Sequence, residues 1–227
     1  MPEGMTATFP RTREFVEFLL SSQVLAFGDF QTKSGRRTPY FMDFARLSRG
    51  HDVERLGSFY AQAIRARLGE GFDVLFGPAY KGIPLVVASA LAFAREHGRD
   101  VSFCFNRKEE KDHGEGGRLV GHRLKDGDRV VLVEDVTTAG TSIRETVPLL
   151  RSAARIELAG LVVAVDRQER GTGERTALAE LEAEFGMPCF AIATIDGLVA
   201  ALGETPGRLD AELLGRIREY RARYGGR

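Results

Sequence analysis

Residues 130–142 read VVLVEDVTTAGTS, and the difference between the two halves of this stretch decides the fold. Val130 to Val133 are continuously apolar and mostly β-branched, as in a strand buried on both faces of a parallel sheet rather than one with a wet side. Glu134 and Asp135 end the apolar run, and a Thr/Gly turn then leads to Ser142 and Glu145 at capping-box spacing. A helix is therefore predicted from near Ile143, with its unpaired N–H groups and positive dipole end facing back onto the turn. The paired acids supply acceptors suited to neighbouring hydroxyls of a sugar, while Val136, Thr137, Thr138, Ala139, Gly140, Thr141 and Ser142 bring amides and hydroxyls to an anion. Gly140 lets the backbone approach closely. A charge-assisted hydrogen bond to that anion contributes roughly 1.5 to 3 kcal/mol against about 0.3 to 1 for the helix dipole, so directed donors dominate. Pro148 lacks the N–H that would bond the carbonyl of Arg144, which predicts a kink or a delayed helix. A strand and capped helix in any α/β domain shares this outline, so other segments must decide.

Outward from this stretch, apolar runs alternate with helical patterns along the 227 residues, as expected of an α/β fold with a doubly wound, mostly parallel sheet flanked by helices. Thr12–Ser21 is predicted helical, with Phe15, Phe18 and Leu19 on one face; Tyr40–Phe44 is predicted as a short strand. Asp52 is expected to cap a helix running through Leu68. Further strands are expected at 73–76, 101–105 and 161–165. The length suits one domain, 1–227, without an internal linker. Lys plus Arg equal Asp plus Glu at 32 each, so no overall charge draws the chain to nucleic acid, and any anion site must be built locally. Cys104 and Cys189 lack metal-ligand spacing and read as buried free thiols of a reducing compartment. No run of about 18 apolar residues and no signal-like start is present, so a cytoplasmic chain with no membrane partner is expected.

Two further loops follow predicted strands, at the carboxyl edge where α/β sheets bind ligands. The turn Gly77-Pro78-Ala79-Tyr80-Lys81-Gly82-Ile83-Pro84 is bounded by glycines and enters a helix whose first turn tolerates Pro84. Lys81 can offer a point charge to a second anion, or the segment is an ordinary turn with a solvated lysine. Residues 106–117, NRKEEKDHGEGG, crowd Arg107, Lys108, Lys111 and His113 before three glycines. By composition alone this is equally a solvated surface loop.

These segments together resemble the type I phosphoribosyltransferases, and the spacing Lys108-Glu109-Glu110-Lys111-Asp112-His113-Gly114 resembles the catalytic loop of the orotate phosphoribosyltransferases. The stretches Thr32-Lys33-Ser34-Gly35-Arg36 with Pro39-Tyr40-Phe41-Met42-Asp43, and Asp166-Arg167-Gln168-Glu169-Arg170-Gly171, extend the likeness over residues 12–224. What the resemblance implies is a small hood from about residues 1–50 and part of the C-terminal region, over a Rossmann-like sheet. It implies that phosphoribosyl pyrophosphate is held by Lys33, Tyr80, Lys81, Arg107, Lys108, Lys111, His113 and Glu134 through Ser142, with Lys111, Asp135 and His113 in the chemistry. Orotate would be held by Lys33, Phe41, Met42, Thr138 and Arg167, whose guanidinium fork suits a carboxylate. Mg²⁺ would be carried mainly on substrate oxygens and water, without direct protein ligands.

The resemblance further implies a homodimer in which loop 106–117 closes over the neighbouring subunit's site, excluding water as pyrophosphate departs. His113 would assist the leaving group or serve only as a flexible donor. Met42, Asp43 and Glu134 depart from the family's commoner aromatic, asparagine and aspartate. Two other readings are a transferase for a different base and a ligand-sensing regulator without catalysis. Against the regulator stand the loop cations and the lack of a basic helix-turn-helix pattern in the first 30 residues.

Overall fold

The computed structural model describes residues 11–31, 36–109, 118–204 and 208–226. Helix α1 (Thr12–Ser21) buries Phe15, Val16, Phe18 and Leu19, the face its periodicity predicts. Strands β1 (Leu25–Gln31) and β2 (Arg37–Met42) form a separate antiparallel hairpin. The strand predicted at 40–44 is thus shifted: β2 begins at Arg37 and stops at Met42, because the Asp43 carboxylate accepts from the Ala45 N–H and turns the chain into a single 3-10 turn, Phe44–Arg46. Helix α2 (Gly50–Leu68) starts before Asp52, with Arg49 at its cap position, so Asp52 lies in the first turn and does not cap it.

The main sheet begins with β3 (Val74–Gly77), which leads into α3 (Gly82–His97), and continues through β4 (Ser102–Asn106) and the short β5 (Leu119–Gly121). Next come β6 (Arg129–Glu134), α4 (Thr141–Ala153), β7 (Glu157–Asp166), α5 (Ala177–Phe185) and β8 (Cys189–Thr194). Helices α6 (Ile195–Gly203) and α7 (Ala211–Tyr224) follow. Among the described residues, six strands form the main sheet in the order β5-β4-β3-β6-β7-β8, all parallel except β5.

Strand β6 shows why the apolar run was continuous. Val131 and Val133 join the core under α2 and α3, whereas Val130 and Leu132 join the core under α4 and α5, and all four are fully buried. Chain order reverses at this strand's neighbour: β3 leads outward to β4 on one side, while β6 pairs with β3 on the other. A crevice opens at the carboxyl ends of β3 and β6 for that reason, at the switch point where α/β sheets take ligands.

Helix α4 begins at Thr141 and not near Ile143, with Gly140 at the cap position and no side-chain cap, so the Ser142–Glu145 capping box is not used. The helix is not delayed by Pro148 and runs through it; Pro148 faces outward, where water can meet the carbonyl it leaves without a partner. Cys104 is buried and Cys189 half-buried, both as free thiols pushed up to about 12 by burial. Among the described residues no helix is long and apolar enough to cross a membrane.

Candidate active site

The paired acids sit at the floor of the crevice. Glu134 ends β6 with its side chain buried, and the hydroxyl of fully buried Tyr60 donates to its backbone carbonyl at 2.6 Å. Burial, reinforced by the neighbouring Asp135 charge, pushes the Glu134 carboxyl up to about 7, against a stabilising bond from Ser142. Asp135 is buried too, and its Oδ2 accepts from Lys81 Nζ at 2.9 Å. Partial burial works against the Lys81 ammonium, but the bond to Asp135 outweighs it and holds its pKa above the usual lysine value. Two loops from separate strands, 54 residues apart in sequence, therefore meet across the crevice.

Beyond Asp135 the chain turns tightly to Gly140, whose φ of 71° is left-handed and whose position lies against Leu181 of α5, where a Cβ would meet Cδ2 at 2.9 Å. The Gly140 N–H donates to Thr137 Oγ1 at 3.1 Å, so this amide is spent inside the turn and is not free for an anion. Arg144 braces the turn from behind: its Nη1 donates to the Ala139 carbonyl and its Nε to Glu184 at 2.7 Å. Val136 packs on the core, Thr137 and Ala139 are half-buried, and Thr138, Thr141 and Ser142 are exposed. With no side-chain cap on α4, its first-turn N–H groups face the same opening.

The opposite wall is the turn after β3. A Cβ on Gly77 would meet the Gly82 carbonyl oxygen at 2.2 Å, so both ends of this turn have to be glycine to come together. The Gly82 N–H bonds the Pro78 carbonyl at 2.8 Å, and the Ala79–Tyr80 peptide is cis. Asn106 Oδ1 accepts from the Ala79 N–H at 2.8 Å, tying the turn to the end of β4. Sequence reading missed Asn106 and Tyr60, since an asparagine at a loop start and a tyrosine on an apolar helix face carry no motif. Tyr80 is 63% exposed, with Lys108 Nζ 5.2 Å from its ring centroid. Arg107 is half-buried and its N–H bonds the Arg118 carbonyl at 2.7 Å. Lys111 and His113 of the loop, and Lys33, lie outside the described residues.

On the side expected to take the base, Phe41 and Met42 are half-buried neighbours on β2 and so point to opposite faces of the hairpin. Phe41 meets Phe30, ring centroids 5.5 Å apart, and Met42 packs on the core. Arg167 follows β7 and is buried, with its guanidinium over the Tyr40 ring at 5.1 Å and paired to Glu169 at 2.6 Å.

Residues 45–180 match the family model described as "Phosphoribosyl transferase domain". The chain is 48% identical over 217 residues to the orotate phosphoribosyltransferase of Clostridium acetobutylicum, covering 94% of this chain and 97% of that one. It is 50% identical to the one from Cronobacter sakazakii, covering 95% and 99%. Among solved structures, the orotate phosphoribosyltransferase of Francisella tularensis superposes with a TM-score of 0.82 at 34% identity, over 94% of this chain and all of that one. An acid pair and a left-handed glycine turn facing a glycine-closed lysine turn across the β3–β6 crevice, inside a fold shared nearly end to end with these proteins, place the chain in the orotate phosphoribosyltransferase family.

Proposed function

We propose that the chain transfers the 5-phosphoribosyl group of phosphoribosyl pyrophosphate to orotate, giving orotidine 5′-monophosphate and pyrophosphate in pyrimidine nucleotide synthesis. The observation that carries this reading is the Lys81–Asp135 contact, which joins the acid pair at the end of β6 to the lysine turn after β3. The ribose hydroxyls take the place of the Lys81 ammonium on Asp135, and Lys81 turns to the diphosphate. Glu134, one methylene longer than the family's commoner aspartate, is held back by Ser142 and assists Asp135. The 5′-phosphate sits in the turn from Val136 to Ser142, where helix N–H groups, that of Ser142 included, and the Thr138 and Thr141 hydroxyls donate to it.

In the transfer, the bond from C1 of the ribose to the diphosphate oxygen breaks with its electron pair going to the leaving group. Orotate N1, having lost its proton to solvent, bonds C1. Positive charge develops on the ribose as in sugar transfer generally, and Asp135 beside it lowers the barrier electrostatically. Tyr80, Lys81, Arg107 and Lys108, with Lys33, Lys111 and His113, neutralise the departing diphosphate. Phe41 and Met42, whose side chains take opposite faces of β2, border the base site through their backbone, Thr138 closes it, and Arg167 reads the orotate carboxylate. Among the described residues no group of three or more His, Cys, Asp or Glu forms a ready cage for a metal. A Mg²⁺ held largely by substrate oxygens and water would supply charge neutralisation on the diphosphate. We read the β1–β2 hairpin and α7 as the hood of a single domain, the assembly as a homodimer sharing loop 106–117, and the compartment as cytoplasmic, consistent with two free thiols.

Purified protein offered orotate, uracil, adenine and hypoxanthine, each with phosphoribosyl pyrophosphate and Mg²⁺, tests the reading directly. Product from orotate is expected at far the highest kcat/KM, with uracil turned over only slowly; a higher kcat/KM for another base would reassign the base site, and no product from any base would leave a sensor.

A further inference from the structure

Arg167 has a partner to which the proposed reaction gives no part. Its Nε and Nη2 both donate to one oxygen of Glu169, Oε1, at 2.8 and 2.6 Å. That same oxygen accepts from the Tyr40 hydroxyl at 3.2 Å and the Tyr220 hydroxyl at 3.0 Å. Four donors converge on an atom with roughly two lone-pair sites, inside a cluster where Arg167 and Glu169 are 7% and 8% exposed. The guanidinium is thus fixed along its Nε edge by Glu169 and across its face by the Tyr40 ring at 5.1 Å. Glu169 engages Nε and Nη2, which leaves Nη1 and the second Nη2 hydrogen as the edge that would meet a two-oxygen anion.

Three parts of the chain meet on this oxygen: β2 through Tyr40, the segment after β7 through Arg167, and α7 through Tyr220. Gln168, between the paired residues, has a φ of 50° and turns the backbone there. Helix α7 grips that turn, since Arg221 Nη1 donates to the Gln168 carbonyl at 2.7 Å and the Gly226 N–H to the same carbonyl at 3.0 Å. A buried ion pair is weak as a source of stability, because desolvation offsets the attraction and apolar packing serves as well. What it supplies is orientation.

We propose that Glu169 is the positioning residue for Arg167, itself held by Tyr40 and by Tyr220 of α7, so that preference for a pyrimidine bearing a carboxylate depends on the C-terminal helix. The proposal rests on the reading that Arg167 meets the substrate carboxylate.

The test measures kcat and KM for Glu169→Gln, Tyr220→Phe and Arg167→Ala with orotate and with uracil, each at saturating phosphoribosyl pyrophosphate, and KM for phosphoribosyl pyrophosphate itself. Glu169→Gln is expected to raise KM for orotate about tenfold and lower the orotate-to-uracil ratio of kcat/KM as much, with KM for phosphoribosyl pyrophosphate within about twofold. Tyr220→Phe, which removes one hydroxyl and keeps the ring, is expected to move the same ratio about threefold with little change in Tm. If Glu169→Gln does not fold, Tyr220→Phe decides by that ratio. Equal losses for both substrates, or an unmoved ratio, make Glu169 a purely structural partner and overturn the proposal. An unmoved ratio in Arg167→Ala overturns the assignment of Arg167, and the proposal with it.

Discussion

Lys81 and Asp135 carry the strongest expectations at the scale of single residues. Their bond joins two loops, yet Lys81 is mostly exposed while Asp135 is buried, so losing the lysine exposes nothing apolar and leaves the fold in place. Lys81→Ala is expected to lower kcat/KM about 10- to 100-fold, the loss of one charge-assisted bond of roughly 1.5 to 3 kcal/mol, at nearly unchanged Tm. Steady-state kinetics beside a melting curve check both halves. Glu134 gives a pH signature. Its folded pKa, about 7, lies above its ordinary value of 4.5 because of burial first and Asp135 second. The folded protein therefore prefers the protonated form: this group's contribution to stability is fully present below about pH 4.5 and is lost as pH rises through about 7. In ligand-free protein, Glu134→Gln is expected to remove that loss, so its Tm should gain on the parent between pH 5 and 8. Parallel Tm curves for the two proteins would contradict the burial argument.

At the scale of elements, the turn before α4 is the sensitive joint. Gly140 combines a left-handed φ of 71° with a Cβ position 2.9 Å from Leu181, so Gly140→Ala meets both strain and a clash. A destabilisation of about 1 to 2 kcal/mol from the backbone alone is expected, readable by urea unfolding. Affinity for phosphoribosyl pyrophosphate should fall as well, because the turn is the proposed phosphate seat. Phosphoribosyl pyrophosphate binding unchanged in a destabilised Gly140→Ala would detach the turn from the phosphate. The bounds of α1, Thr12–Ser21, were legible beforehand because one uninterrupted apolar stripe with polar flanks defines them. Strand β1 had no such signal: Gly28 falls inside it and its register slips between Phe27 and Phe30, which breaks the alternation that marks a strand.

At the scale of the whole molecule, the proposed sharing of loop 106–117 makes catalysis a property of two copies. A Lys111→Ala protein and an Asp135→Asn protein, each expected to be nearly inactive, should recover activity when mixed and allowed to exchange subunits, because one of the two sites then has both residues intact. Activity no higher than the sum of the two parents after verified exchange would show that each subunit uses its own loop.

The amino-acid order alone determined that parallel strands are buried on both faces, that an acid pair and a glycine turn close β6, and that a glycine-bounded lysine turn follows β3. These features were legible because each is encoded within about a dozen consecutive residues, where composition and period act directly. The tertiary structure alone decided what those segments touch. Lys81 finds Asp135 across 54 residues, Tyr60 finds the Glu134 carbonyl across 74, and Tyr40 finds Glu169 across 129. No local pattern specifies such pairs, since each exists only once strand order and helix packing have brought distant backbone together. For the same reason the sequence presented Glu169 as one charge in a polar loop, and only folding made it the oxygen on which Arg167, Tyr40 and Tyr220 converge.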